Sequence, residues 1–179
     1  MPAILLSGRP GCGKTTLIRK LVQILAVPAV GFYTEEVRQK GRRQGFDLIT
    51  LDGQRVTLAS VHSHSLWRVS KYGVEVEALE DVGVAAIEEG MKAAQLLVID
   101  EIGKMELFSP RFREAVLAAL DSGKPVLGTV MLAAHPFADA VKRRADVEVV
   151  ALAEHNRAQV EENVLAKLRA FIGQPAGRY

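Results

Sequence analysis

The chain has 179 residues, 49% of them hydrophobic and 25% charged, with a formal net charge of +2. That length suffices for one core burying about 70% of the unfolded surface, and a charge this small is no electrostatic footprint for nucleic acid. No apolar run approaches the ~20 residues of a membrane span, no cleavable leader is evident, and one cysteine suits a reducing compartment. The expected location is the cytoplasm, with no membrane partner.

Ala3-Ile4-Leu5-Leu6-Ser7 is a short apolar run suited to a strand buried on both faces. Gly8-Arg9-Pro10-Gly11-Cys12-Gly13-Lys14-Thr15 follows and fills the G-x-x-x-x-G-K-[ST] pattern of a phosphate-binding P-loop at every fixed position. Glycines let the backbone wrap closely, so that successive N–H groups point at phosphates, and the helix starting near Lys14 aims its dipole there too. Leu17, Ile18, Leu21, Val22 and Leu25 carry that helix at three- and four-residue spacing. Lys14 is expected to reach the β- and γ-phosphates and the Thr15 hydroxyl to bind Mg²⁺. The alternative, an ordinary glycine turn, does not call for Gly-Lys-Thr. Cys12 sits where a thiol pKa is lowered, so it reads either as a redox-sensitive group or as a variable position whose backbone matters.

Ala29–Thr34 reads as a second strand. Glu35–Gln44 is polar, with Arg38, Lys40, Arg42 and Arg43 around Gly41. These basic residues fit a solvated hairpin tip, a lid over the phosphates or a nucleic-acid contact. Phe46–Leu51 and Arg55–Leu58 follow as strands around Asp52-Gly53, a two-residue hairpin signal, so a small antiparallel insertion is expected. His62 and His64 lack further ligands for a metal site nearby and read as surface histidines. Trp67 reads as a core or rim residue, or as a base-stacking one. Leu79–Ala94 is a helical stretch.

Leu96-Leu97-Val98-Ile99-Asp100-Glu101 places two carboxylates at the end of a buried strand, and open α/β sheets bind ligands at strand carboxyl ends. This Walker B pattern puts Asp100 on the Mg²⁺ shell and Glu101 where a general base for water is needed; the alternative is a pair that merely caps a strand. Lys104 and Glu106 either face the nucleotide or pair at the surface. Ser109-Pro110 opens a helix as N-cap and first position. Pro125–Val130 is a strand whose Thr129 is a candidate for the γ-phosphate or the attacking water. His135–Arg144 is a short helix, Val147–Leu152 the last strand and Asn156–Phe171 a final helix. Residues 1–172 read as one domain and 173–179 as a tail.

At Gly31–Arg38 and Asp100-Glu101-Ile102-Gly103-Lys104-Met105-Glu106-Leu107-Phe108 the sequence resembles the nucleoside-triphosphatase family of thermophilic prokaryotes, whose animal members are the cancer-related nucleoside-triphosphatases. The resemblance implies a RecA-like P-loop domain: a three-layer α/β fold with a mostly parallel central sheet. It also implies slow Mg²⁺-dependent hydrolysis of ATP, GTP and other nucleoside triphosphates to diphosphate and phosphate, with broad base tolerance; the expected substrates are ATP, GTP, CTP and UTP, and a monomer is expected. The implied nucleotide-binding residues are Gly8, Arg9, Pro10, Gly11, Cys12, Gly13, Lys14, Thr15 and Thr16, then Leu96, Leu97, Val98, Ile99, Asp100, Glu101, Ile102 and Gly103. Glu101 and Lys14 would be catalytic, and Thr15 and Asp100 the metal ligands. Where the family has Glu-Asn-Arg, this chain has Glu154-His155-Asn156-Arg157, with His155 inserted, and whether Arg38, Arg42, Arg43 or Arg157 serves as an arginine finger stays open. A nucleotide or small-molecule kinase and a nucleic-acid-stimulated ATPase are the rival readings.

Overall fold

Alternation along the central strands divides the interior in two. Ala3 and Leu5 face one apolar cluster and Ile4 and Leu6 another; Leu97 and Ile99 join the first, Leu96 and Val98 the second. A strand buried on both faces needs helices on both sides, as in a parallel sheet built by crossovers. The structure, a computed structural model, describes residues 3–173 and has this three-layer arrangement; of the expected tail, all but Gly173 lies outside the described residues.

The elements run β1 (Ala3–Ser7), α1 (Lys14–Leu25), β2 (Ala29–Gln39), β3 (Arg42–Thr50), β4 (Arg55–Ser60), β5 (Arg68–Val69) and β6 (Tyr72–Val74). Then come α2 (Val76–Ala78), a π-helical segment (Leu79–Val84), α3 (Ala85–Ala93), β7 (Leu96–Ile102), a 3-10 turn (Glu106–Phe108) and α4 (Pro110–Asp121). The chain closes with β8 (Val126–Val130), α5 (Pro136–Lys142), β9 (Val147–Ala151), a 3-10 turn (Glu154–Asn156) and α6 (Arg157–Ile172). One sheet holds nine strands in the order β5-β6-β4-β3-β2-β7-β8-β1-β9. From β2 to β9 the pairing is parallel, and from β2 to β5 antiparallel. Helices α1 and α6 cover one face, and the π segment with α3, α4 and α5 the other.

The antiparallel part is thus larger than a small insertion: β3 to β6 extend the same sheet, with β2 shared by both halves. β2 runs five residues past Thr34 because Lys40 and Gly41, both at positive φ (49° and 76°), close a tight turn that matches strand twist. The turn at Asp52-Gly53 is also longer than two residues. The Thr50 hydroxyl bonds the Asp52 carboxylate and accepts from Gln54 N–H at 2.9 Å, closing a four-residue loop between β3 and β4. Before α3, Leu79 and Val84 are both fully buried although five residues apart. The wider π turn brings such a pair to one face, where a 3.6-residue spiral does not. α4 starts as expected, the Ser109 hydroxyl accepting from Phe112 N–H at 2.9 Å. No helix among the described residues is long and apolar enough to cross a membrane.

Phe112 on α4 is fully buried, its ring 6.3 Å from that of Phe32 on β2, so this pair locks the helix layer to the sheet. Phe112→Ala is expected to cost about 3–5 kcal/mol of unfolding free energy. Urea titration checks this, and a loss below ~1 kcal/mol contradicts it.

Candidate functional site

The chain leaves β1 at Ser7 into the glycine loop, and the end of β9 crosses directly above it. Leu152 N–H donates to Ser7 O at 2.8 Å. A Cβ on Gly8 would lie 2.4 Å from Leu152 O, so only glycine passes beneath the crossing. Gly13, the last residue before α1, has φ +93°, in the left-handed region, and the Arg157 guanidinium fills the place of its missing Cβ, 2.4 Å from Nη2. Cys12 is buried in the apolar cluster with α1 and α6. That packing fits the reading of Cys12 as a variable position whose backbone matters; Arg9, Pro10 and Gly11 form the exposed crest, and Thr16 is exposed on α1. The Lys14 ammonium donates to Gly8 O at 2.9 Å and Arg9 O at 3.2 Å, bridging the loop and leaving its third donor free.

Two strands away, β7 brings Asp100 to the same place. Its carboxylate is 1% exposed. Thr15 Oγ1 on α1 donates to Oδ2 at 2.5 Å, and Thr129 Oγ1 on β8 donates to Oδ1 at 2.5 Å. Burial pushes the Asp100 carboxyl above its ordinary pKa, while the Thr129 and Thr15 hydroxyls and the Lys14 charge pull the other way. Thr129, a candidate for phosphate or water on sequence, is fully buried with its hydroxyl committed to Asp100. Leu96, Leu97, Val98 and Ile99 put their side chains into the two cores; the strand offers functional groups only from Asp100 onward.

Glu101 is also raised, first by burial and then by the Asp100 charge, with Lys14 opposing. Ile102 belongs to the core. At Gly103 the chain turns back through Leu107 N–H to Gly103 O, 3.0 Å, which carries Glu106 under the strand end. Glu106 is 4% exposed and Lys104 is exposed, so they are not a surface pair. Glu101 and Glu106 converge on the Gly103 Cα: a Cβ there would lie 2.6 Å from Glu101 Oε1 and 3.1 Å from Glu106 Oε2. Burial, then the Glu101 charge, push Glu106 well above the usual carboxylate range.

The other candidates lie elsewhere. Arg38 and Arg43 pair with Glu36 on the β2–β3 hairpin, which fits the tip reading. Despite partial burial, hydrogen bonds from both arginines hold the Glu36 carboxyl below its ordinary pKa. His62 and His64 are exposed. Trp67 is a half-exposed rim residue whose ring lies 5.3 Å from that of Phe108. Beside the glycine loop, an open cleft of about 690 Å³ is lined by loop residues and by Leu132, Val149, Ala151, Leu152 and Glu154.

These features define an α/β protein with a glycine loop, a lysine and a helix start facing an acid pair, buried Asp100 and partly buried Glu101, across one interposed strand. The chain belongs to the NTPase family, whose model matches residues 3–165. Nucleoside-triphosphatase THEP1 of Thermotoga sp. (strain RQ2) is 46% identical over 171 residues, 96% of this chain and 98% of that one. The crystal structure of THEP1 from the hyperthermophile Aquifex aeolicus is similar with a TM-score of 0.85 at 36% identity, covering 93% of this chain and 98% of that one. The solution structure of a human cancer-related nucleoside triphosphatase is similar with a TM-score of 0.82, also at 36% identity, covering 98% and 100%.

Glu106 has a linked effect on stability. Its folded pKa is raised, so the folded state holds the proton more tightly. The group's stabilising contribution is complete below its unfolded pKa, about 4.3, and is lost as pH rises through the folded value. Glu106→Gln, which stays neutral, is therefore expected to raise the melting temperature relative to wild type at pH 7–8, with the gain shrinking toward pH 4. A gain that grows on acidification contradicts this.

Proposed function

We propose that this protein is a Mg²⁺-dependent nucleoside-triphosphatase of RecA-like P-loop architecture, converting ATP, GTP, CTP or UTP to diphosphate and phosphate. The observation that carries the reading is the 2.5 Å bond from Thr15 to Asp100. It joins the threonine beside the phosphate-loop lysine to the first residue of the acid pair, although the two are 85 residues apart in sequence.

Successive amides of the loop and the start of α1 hold the phosphates. Lys14 has only backbone carbonyls to leave when it turns to the β- and γ-phosphates. The Thr15 hydroxyl and the Asp100 carboxylate are hard oxygen donors side by side, a set that fits Mg²⁺, which takes one or two protein oxygens beside substrate phosphates. Held by Thr15 and Asp100, Mg²⁺ would supply polarisation of the phosphoryl oxygens and offset their charge. Thr129, by holding the second Asp100 oxygen, keeps the carboxylate turned toward Thr15. Glu101 orients the attacking water and takes its proton, and its raised pKa makes it a stronger base than an ordinary carboxylate.

Two further features support the finer points. The cleft beside the loop presents mainly apolar side chains, a surface that accepts the face of any base, in keeping with broad base tolerance. Arg38 and Arg43 are engaged by Glu36, and a charge-stabilising arginine contributes ~10³–10⁵ in rate, so slow turnover follows.

Phosphate release measured with all four triphosphates is expected to proceed at comparable rates, to stop on Mg²⁺ chelation, and to be independent of RNA, nucleosides or monophosphates. A large rise with an acceptor indicates a kinase instead, and a salt-sensitive rise with RNA a nucleic-acid-stimulated enzyme. Glu101→Gln is expected to lower kcat by about 10²–10⁴ while still binding nucleotide; near-normal release by this variant removes the base. Lys14→Ala should weaken binding and turnover together. For wild type, the acid limb of the kcat profile should fall at a pH above the ordinary glutamate value, the direction set by Glu101.

A further inference from the structure

α6 begins with an arginine whose side chain lies on the glycine loop rather than in solvent. The turn before it is held by Asn156, whose Oδ1 accepts from Ala153 N–H at 2.8 Å and whose Nδ2 donates to Ala151 O at 2.9 Å. That fixes the start of α6 against the end of β9. From there Arg157 Nη2 donates to the Cys12 carbonyl at 2.6 Å. The guanidinium covers the Gly13 Cα, with Nη2 and Cζ 2.4 and 2.9 Å from the position a Cβ would take. Its Nε is buried and has no acceptor among the described residues, so the group keeps donor capacity that these residues do not use.

The Cys12 carbonyl and the Gly13 N–H belong to one planar trans peptide and so point in opposite directions. A guanidinium that holds the carbonyl toward α6 therefore aims the Gly13 N–H away from α6. That amide directly precedes the first residue of α1, in the run of N–H groups offered to an anion. The flanking groups are held, Cys12 N–H by Arg9 O at 3.2 Å and Gly13 O by Leu17 N–H at 3.0 Å, so what the guanidinium sets is the tilt of the peptide plane between them. Gly11 and Gly13 both sit at positive φ, where glycine exchanges conformations readily.

We propose that Arg157 is the positioning residue of the phosphate loop: by pinning the Cys12–Gly13 peptide it presets the loop for phosphates shared by nucleoside di- and triphosphates. It acts from the β9 side of β1, whereas Asp100 and Glu101 stand beyond β8 on the other side. Its role is thus separate from that of an arginine reaching the γ-phosphate. The inference rests on the reading of Gly8–Thr15 as a phosphate loop.

The test compares wild type with Arg157→Gln, Arg157→Lys and Lys14→Ala. The readouts are Kd for ADP and for a non-hydrolysable ATP analogue, and kcat and KM for ATP. Arg157→Gln is expected to weaken ADP and analogue by the same factor, about tenfold, the size of one charge-assisted hydrogen bond. KM should rise in parallel and kcat stay within about threefold. Arg157→Lys, which still donates one bond to the carbonyl, should recover part of the loss; it carries the test alone if thermal melting shows Arg157→Gln to be unfolded. A collapse of kcat with ADP binding intact overturns the proposal in favour of a γ-phosphate contact. Unchanged Kd and KM overturn it in favour of a contact without consequence. If Lys14→Ala loses binding while the Arg157 variants keep it, only this inference fails; if Lys14→Ala binds like wild type, the phosphate-loop reading fails as well.

Discussion

A carboxylate taken out of water needs hydrogen bonds to each oxygen, and Asp100 has one hydroxyl on each. Those two hydroxyls come from α1 and β8. A single side chain on β7 therefore ties together the helix that ends the loop, the strand that carries the acid pair and the strand between β7 and β1. The cost of burial appears as a raised pKa that neither hydroxyl nor Lys14 fully reverses. A carboxylate so held has a defined orientation and retains affinity for a positive charge. Both properties suit the role proposed for Asp100 as an oxygen ligand to Mg²⁺.

The rest of the architecture delivers groups to that point. Two-faced burial of the parallel strands puts the carboxyl ends of β1, β8 and β7 along one edge of the sheet. The antiparallel extension reaches the same edge by packing rather than by sequence. Its own small core, Ala59, Tyr72 and Val74, is packed against Met105 and Phe108, which flank the turn that brings Glu106 beneath Glu101. The outlying hairpins are thus mechanically joined to the segment that follows Glu101.

What was legible in the sequence was what local rules decide. Gly8–Thr15 is a contiguous pattern with its own chemistry, Leu96–Glu101 a buried strand ending in acids, and Ser109-Pro110 a cap with a fixed geometry. Each is settled within about eight residues. Thr129, Glu106 and Arg157 were not legible in the same way, because their meaning comes from a partner far along the chain or across a turn. An isolated threonine at a strand end says nothing about which carboxylate it will meet. A glutamate between Met105 and Leu107 carries no periodicity that separates a buried acid from a surface one. The length of β2 was missed for another reason. Its outer half protrudes beyond the helix layers and has no apolar alternation, and only the Lys40-Gly41 turn marks where it ends.

The strand that launches the loop has both of its neighbours near the other end of the chain: Ala3 pairs with Val126 on β8 and with Val147 on β9. Closing so long a stretch of chain costs entropy before any ladder bond offsets it. During synthesis, β1 therefore has no sheet to join until β8 has emerged. The glycine loop, although encoded within the first fifteen residues, is among the last parts of the molecule to acquire its shape. Any break of the chain before β8 would leave the motif intact in sequence and without structure.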